Sequence, residues 1–408
     1  MAESLLITNI GELMTQDPGR GRDTVLRDAA VVLEGERISW LGPAAAAPAA
    51  DAVTDAGGRC VLPGWVDSHT HLVFAGDRTE EFEARMAGRS YQAGGIAVTV
   101  AATRAAADYD LTRLLLARAA EAAAGGTTYL ETKTGYGLDV EQEARIARIA
   151  STVADQVTFL GAHLVPAGLD ADEYTELVCG GMLAAVRPYV QWADVFCERG
   201  ASTAEQCRRV LAACREAGLG LRVHGNQLGE GPGVALAVEF GAASVDHLNY
   251  LSDADVGLLA GSWAGWDADS GSGRRGTVAT CLPACDLSTR QPLAPARRLL
   301  DARVEIALAS NCNPGTSYTS SMNYCVATAV LQMGLSVHEA VRAATYGGAL
   351  ALGVHTGRDA DGERAVGSVA VGHRADLHLL NAPSATHLAY RPGMPLTAAV
   401  WRAGERGA

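Results

Sequence analysis

The chain has 408 residues, with 33 Lys and Arg against 46 Asp and Glu and a formal charge of −13. That length buries one large core or two modest ones, and the composition, with few aromatics, excludes a disordered or fibrous chain. The acidic balance, without any basic run interleaved with aromatics, argues against a nucleic-acid partner and reads as a solvated surface.

The first ten residues, MAESLLITNI, have neither the basic region nor the long apolar core of a secretory signal. No segment reaches the roughly 18 uninterrupted apolar residues of a membrane-spanning helix. Strand texture opens the chain: LLITNI (5–10), AVVLEGERISWLG (30–42) and GRCVLPGWVD (58–67) alternate apolar and polar residues between Gly and Pro punctuation. Thereafter helical runs alternate with short apolar strands. TRLLLARAAEAAAGG precedes TTYLETKTGYG, and VTFLGAHLVPAG, ADVFCERG, LRVHGNQLG, ASVDHLNYL, GTVATCLPA and VEIALASNCNPG follow in turn. Such alternation implies parallel strands with crossover helices. Polar residues gathered just after each strand are what a (β/α)8 barrel enzyme shows, because its site is built from the loops after the strands.

At the far end GSVAVGHRADLHLL (367–380) returns to the strand texture of the start. The expected fold is α/β: a barrel over 62–358 beside a small β-sandwich built from 1–61 and 359–408. One segment, GSWAGWDADSGSGRRG (261–276), reads as a flexible insertion before a barrel strand, either a lid or a plain surface excursion. The nine cysteines form no regular framework. Cys281 and Cys285 stand in CxxxC spacing, which leaves a thiolate metal site open. Reduced, buried thiols in a cytoplasmic protein are the simpler reading.

The sharpest local signal is VDSHTHL (66–72) at the end of an apolar approach. Residues two apart in a strand point the same way, so His69 and His71 face one side together and can ligate a divalent metal such as zinc or iron. His163, His224 and His247 also end apolar runs. Five of the ten histidines thus fall at predicted strand ends. Any one of them alone reads better as a satisfied core residue; five in the same position point to a shared pocket.

Read together, these residues resemble the amidohydrolase superfamily and, within it, the imidazolonepropionase family of histidine degradation. The resemblance rests on DSHTHLVFAGDR (67–78), ETKTGYGL (131–138), FLGAHLVP (159–166), DVFCE (194–198), VHGNQL (223–228), VDHL (245–248), NPGTS (313–317) and the GSVAVGHRADL tail, in order over nearly the whole chain. It implies one divalent metal ion, zinc or iron, held by His69, His71 and His224. It also implies contacts from Arg78, Tyr136, His163, Gln227 and Thr316 to an acidic cyclic amide, with Asn313 and Gly315 around the opened product. A homodimer is implied as well. An anionic propionate suits the planar donor fork of Arg78, whose plainer reading is a surface cation paired with Glu80 or Glu81.

The chain departs from the family at its last metal ligand, an Asp two residues before Asn-Pro-Gly, where it has Asn311. An amide oxygen can ligate weakly but cannot act as a general base. Gln227 likewise stands where relatives often carry Glu. His247 is the expected substitute for proton transfer, with the metal or His163 stabilising the oxyanion. Three readings stay open: hydrolysis of 4-imidazolone-5-propionate, a related activity on another small acidic cyclic amide or amidine, and a catalytically impaired, ligand-binding barrel.

Overall fold

The computed structural model describes residues 4–21, 24–88, 95–357 and 364–407. Among them, strands from both ends of the chain form one eight-stranded sheet. It comprises β1 (Ser4–Met14), β2 (Val25–Glu34), β3 (Arg37–Pro43), β4 (Ala52–Asp55) and β5 (Cys60–Pro63), with the late strands β16 (Leu377–Leu380), β17 (Thr397–Arg402) and β18 (Glu405–Arg406). The long β1 pairs β2 along one edge. On its other edge it pairs β4 through its first half and β5 through its second. The alternating residues Ile7, Val31, Leu33, Ile38, Leu377 and Trp401 fill this sheet's own apolar core.

The second sheet is the barrel: β6 (Trp65–Asp67), β7 (Thr127–Lys133), β8 (Gln156–Ala162), β9 (Trp192–Cys197), β10 (Gly220–Gly225), β11 (Ser244–His247), β14 (Val278–Cys281) and β15 (Ile306–Leu308), all pairs parallel. Every residue of β7, β8 and β9 is buried, as expected of strands covered on the outside by helices and packed on the inside by one another. The expected (β/α)8 barrel with a separate sheet domain is therefore present. The 358/359 division falls outside the described residues.

Two details place the site. The two sheets join at Gly64, where a Cβ would lie 2.2 Å from Thr128 Oγ1, so only glycine lets β5 run on into β6 at this spacing. Beyond the ladder, β15 meets β6 again through the loops that follow them. Thr70 bridges Cys312, His69 accepts from the Asn311 amide at 2.9 Å, and Cys312 accepts from the His71 amide at 2.9 Å. The ring closes at the His-Thr-His motif itself.

The 261–276 segment is no lid. It contains a small hairpin, β12 (Trp266–Asp267) with β13 (Ser272–Gly273), placed where the chain enters β14, at the barrel end opposite the histidines. The two tryptophans pin it. Trp263 and Trp266 stack edge-on at 5.5 Å, Trp263 Nε1 donates to the Thr277 carbonyl at 3.0 Å, and Trp266 Nε1 donates to Glu305 at 3.3 Å.

Candidate active site

The five strand-end histidines converge. The rings of His69 and His224 lie 4.5 Å apart, those of His69 and His71 5.3 Å, His224 and His247 5.3 Å, and His71 and His163 5.8 Å. Ligand nitrogens of His69, His71 and His224 fall within 4.8 Å of one another. Nε2 of His71 is 3.3 Å from Nε2 of His69. Nitrogens about 2.0–2.1 Å from a shared tetrahedral ion would stand at about that separation. Burial pushes His69, His71 and His247 well below the usual histidine range, which favours the neutral rings, the form in which His69 and His71 could ligate a metal. These donors fit a zinc- or iron-type cation.

Carboxylates outside the cluster aim it. Nδ1 of His69 meets Asp246 Oδ2 at 2.6 Å and Nδ1 of His224 meets Asp194 Oδ2 at 3.0 Å, so each ring turns its Nε2 inward. Such partners orient a ligand ring and raise its basicity. Between them lies Lys133, buried at the inner face of β7, 3.0 Å from Asp194, 3.1 Å from Glu131 and 4.0 Å from Asp246. Burial disfavours the ammonium, but Glu131 and Asp194 more than offset it and its pKa is raised. Burial likewise opposes charge on Asp194, and His224 and Lys133 reverse the effect, holding it below the carboxylate range. The sequence reading missed Asp194, Asp246, Lys133 and Glu131 as site residues. Their traces were Glu131 and Lys133 in ETKTGYGL, Asp194 opening DVFCE and Asp246 in VDHL, quoted for the resemblance but given no role.

The cavity before the histidines, of about 520 Å³ including open solvent, is lined by Arg78, Tyr136, Gln227, Asn311, Asn313 and Thr316 among others. Arg78 is paired with Glu81, its Nε donating at 2.8 Å, but the pair is not the surface one expected, because the guanidinium is buried against the cavity. Gly315 serves it by absence, since a Cβ there would stand 2.1 Å from Arg78 Nη1. Asn313 organises its turn, accepting from the Gly315 and Thr316 amides at 2.9 Å each and donating to Thr316 Oγ1 at 2.8 Å. Tyr136 is presented by a loop that buried Glu143 holds, accepting from the amides of Gly135, Gly137 and Leu138 at 2.7–3.0 Å. Gln227 reaches Cys285 Sγ with its Nε2 at 3.7 Å, and its backbone amide is held by Glu198.

His163 has a fixed tautomer. Its Nδ1 donates to the Gly135 carbonyl at 2.9 Å, which leaves Nε2 as an acceptor, and burial lowers its pKa to about 4. Donation to an oxyanion, the role expected of it, would need the charged ring, which burial disfavours. Two of the cavity-lining residues have left-handed backbone: His247 (φ 85°) and Asn311 (φ 51°). Strain of this kind gathers where side-chain placement matters.

The comparisons agree with this geometry. Residues 60–405 match the model of the amidohydrolase family. An imidazolonepropionase from Arthrobacter sp. (strain FB24) is 79% identical over 403 residues, 99% of each chain. The chain belongs to the amidohydrolase family. An imidazolonepropionase from Paenarthrobacter aurescens (strain TC1) is 75% identical, over 99% of this chain and 98% of its own. Among solved structures, a zinc-bound adenosine deaminase from Xanthomonas campestris shares the fold, with a TM-score of 0.70 at 19% identity over 98% of this chain and 92% of that one. Among the described residues of this amidohydrolase, no helix is long and apolar enough to cross a membrane.

Proposed function

We propose that the chain opens the ring amide of 4-imidazolone-5-propionate with water, giving N-formimidoyl-L-glutamate, a step of histidine degradation. The observation that carries this reading is the meeting, in one cavity, of a three-imidazole cation site and the buried guanidinium of Arg78. The substrate joins the two things that arrangement serves, a hydrolysable ring amide and a propionate anion. The imidazolonepropionase name borne by relatives at 79% and 75% identity supports it.

His69, His71 and His224, with Asn311 beside them, would hold one zinc or iron ion, which supplies Lewis-acid polarisation of water and of the ring carbonyl. The chain's own residues do the rest. Arg78 and Tyr136 take the propionate, and because Glu81 occupies the Nε side of Arg78, the Nη1 side toward Gly315 is the one left for it. His163 Nε2 accepts a ring N–H and so orients the ring, while Gln227, Asn313 and Thr316 contact its edge and the opened product. His247 takes a proton from the attacking water and gives it to the ring nitrogen that departs. Residues 62–358 form the catalytic unit in this reading, with 1–61 and 359–408 as its companion sheet domain.

The test is loss of the imidazolone absorbance in the presence of metal-replete protein. Turnover with formation of the formimidoyl product is expected. A protein that binds its metal and leaves the absorbance unchanged would refute the proposal.

A further inference from the structure

One thiol of the CxxxC spacing belongs to a second group of ligand-type side chains behind the cavity wall. His247 ends β11, and Cys285 and Asp286 lie in the helix Pro283–Thr289. One donor atom from each falls within 4.8 Å of the others, and all three residues are at most 2% exposed. His247 Nδ1 is buried without a hydrogen-bond partner among the described residues. Asp286 is anchored, accepting from the Ala294 amide at 3.2 Å, and burial pushes its carboxyl up to about 7. The Cys285 thiol is buried too and is raised to about 12. A sulfur, an imidazole and a carboxylate together suit zinc-like ions and not the hard cations magnesium or calcium.

We propose that His247, Cys285 and Asp286 form a second, weaker site for a divalent cation of the zinc class, whose occupation stops turnover by taking the imidazole that moves protons. Ligation exchanges the Cys285 thiol proton for the metal and releases it to solvent. Ligation by the three imidazoles releases no thiol proton, so the first site fills before the second. The binding half stands on the cluster alone, whereas the inhibitory half rests on the role given to His247 above.

Metal-stripped protein titrated with cobalt(II) separates the two. Two equivalents are expected, the second bringing a near-ultraviolet thiolate-to-cobalt charge-transfer band. Cys285→Ala should bind one equivalent without the band, and Asp286→Asn should keep the band but weaken the second ion by about tenfold or more. His71→Ala should weaken the equivalent that carries no band, which tests the three-imidazole site separately. A second equivalent without the band, or one retained by Cys285→Ala, overturns the site. With zinc, the wild-type turnover should peak at one equivalent and fall at least about tenfold at two. The ratio of the two rates should stay flat in Cys285→Ala. A flat ratio in the wild type overturns the inhibitory half, and absence of turnover at every stoichiometry refutes the proposed function while the band still reports on the site.

Discussion

The two walls of the candidate site are built from different materials. On the side of β7, β9, β10 and β11, each residue near the cluster carries or balances charge: Lys133 sits among Glu131, Asp194 and Asp246, and two of those carboxylates hold ligand imidazoles. On the side of β15 and the loop after it, the groups are amides and hydroxyls: Asn311, Asn313 and Thr316 satisfy one another and the backbone. The charged wall fixes where the imidazoles point; the neutral wall offers hydrogen bonds but no base. The two walls therefore differ in what substitution at each should change.

The largest expected effect breaks that asymmetry. Asn311→Asp should raise kcat by about 10²–10⁴-fold at saturating metal, because it restores a carboxylate able to take a proton. An unchanged kcat would mean that His247 already supplies that function in full. Next, Lys133→Met should destabilise the protein by about 3–5 kcal/mol in urea unfolding, since it leaves Glu131 and Asp194 buried without their ammonium. A loss no greater than that of an ordinary core substitution would show the charged wall to be solvated. Smallest, Asp194→Asn and Asp246→Asn should each weaken metal binding by about 10–100-fold, read by chelator competition, with little change in fold. If Asn313→Ala weakened it equally, the two walls would not differ in the way described.

The barrel and the strand-end histidines were legible in the sequence because they depend on local order, an apolar run followed by polar residues. The charged wall was not, because it depends on which strands lie side by side. Asp194 reaches His224 only because β9 pairs β10 with Asp194 opposite Arg222, a register that no stretch of sequence displays. Arg78 shows another limit. Sequence offered a surface ion pair or a contact to a substrate anion; the ion pair with Glu81 is present but buried, which the local charge pattern does not display. The 261–276 segment could have been placed from chain order alone, since an insertion before a parallel strand emerges at the end away from the site. Its Gly and Ser content suggested mobility, and the packing of Trp263 and Trp266 outweighs that.

The pairing of β5 with β16 sets Pro63 opposite Leu377 and so ties an early segment to a very late one. During synthesis the barrel strands and every candidate site residue, which lie between positions 65 and 317, leave the ribosome before β16 exists. The nascent chain thus carries an open edge at β5 until its final strands are made. Closing that sheet is a long-range step, slow by its topology, and it comes last. The site can collapse early, but the sheet that leads directly into β6 is finished only when the end of the chain arrives.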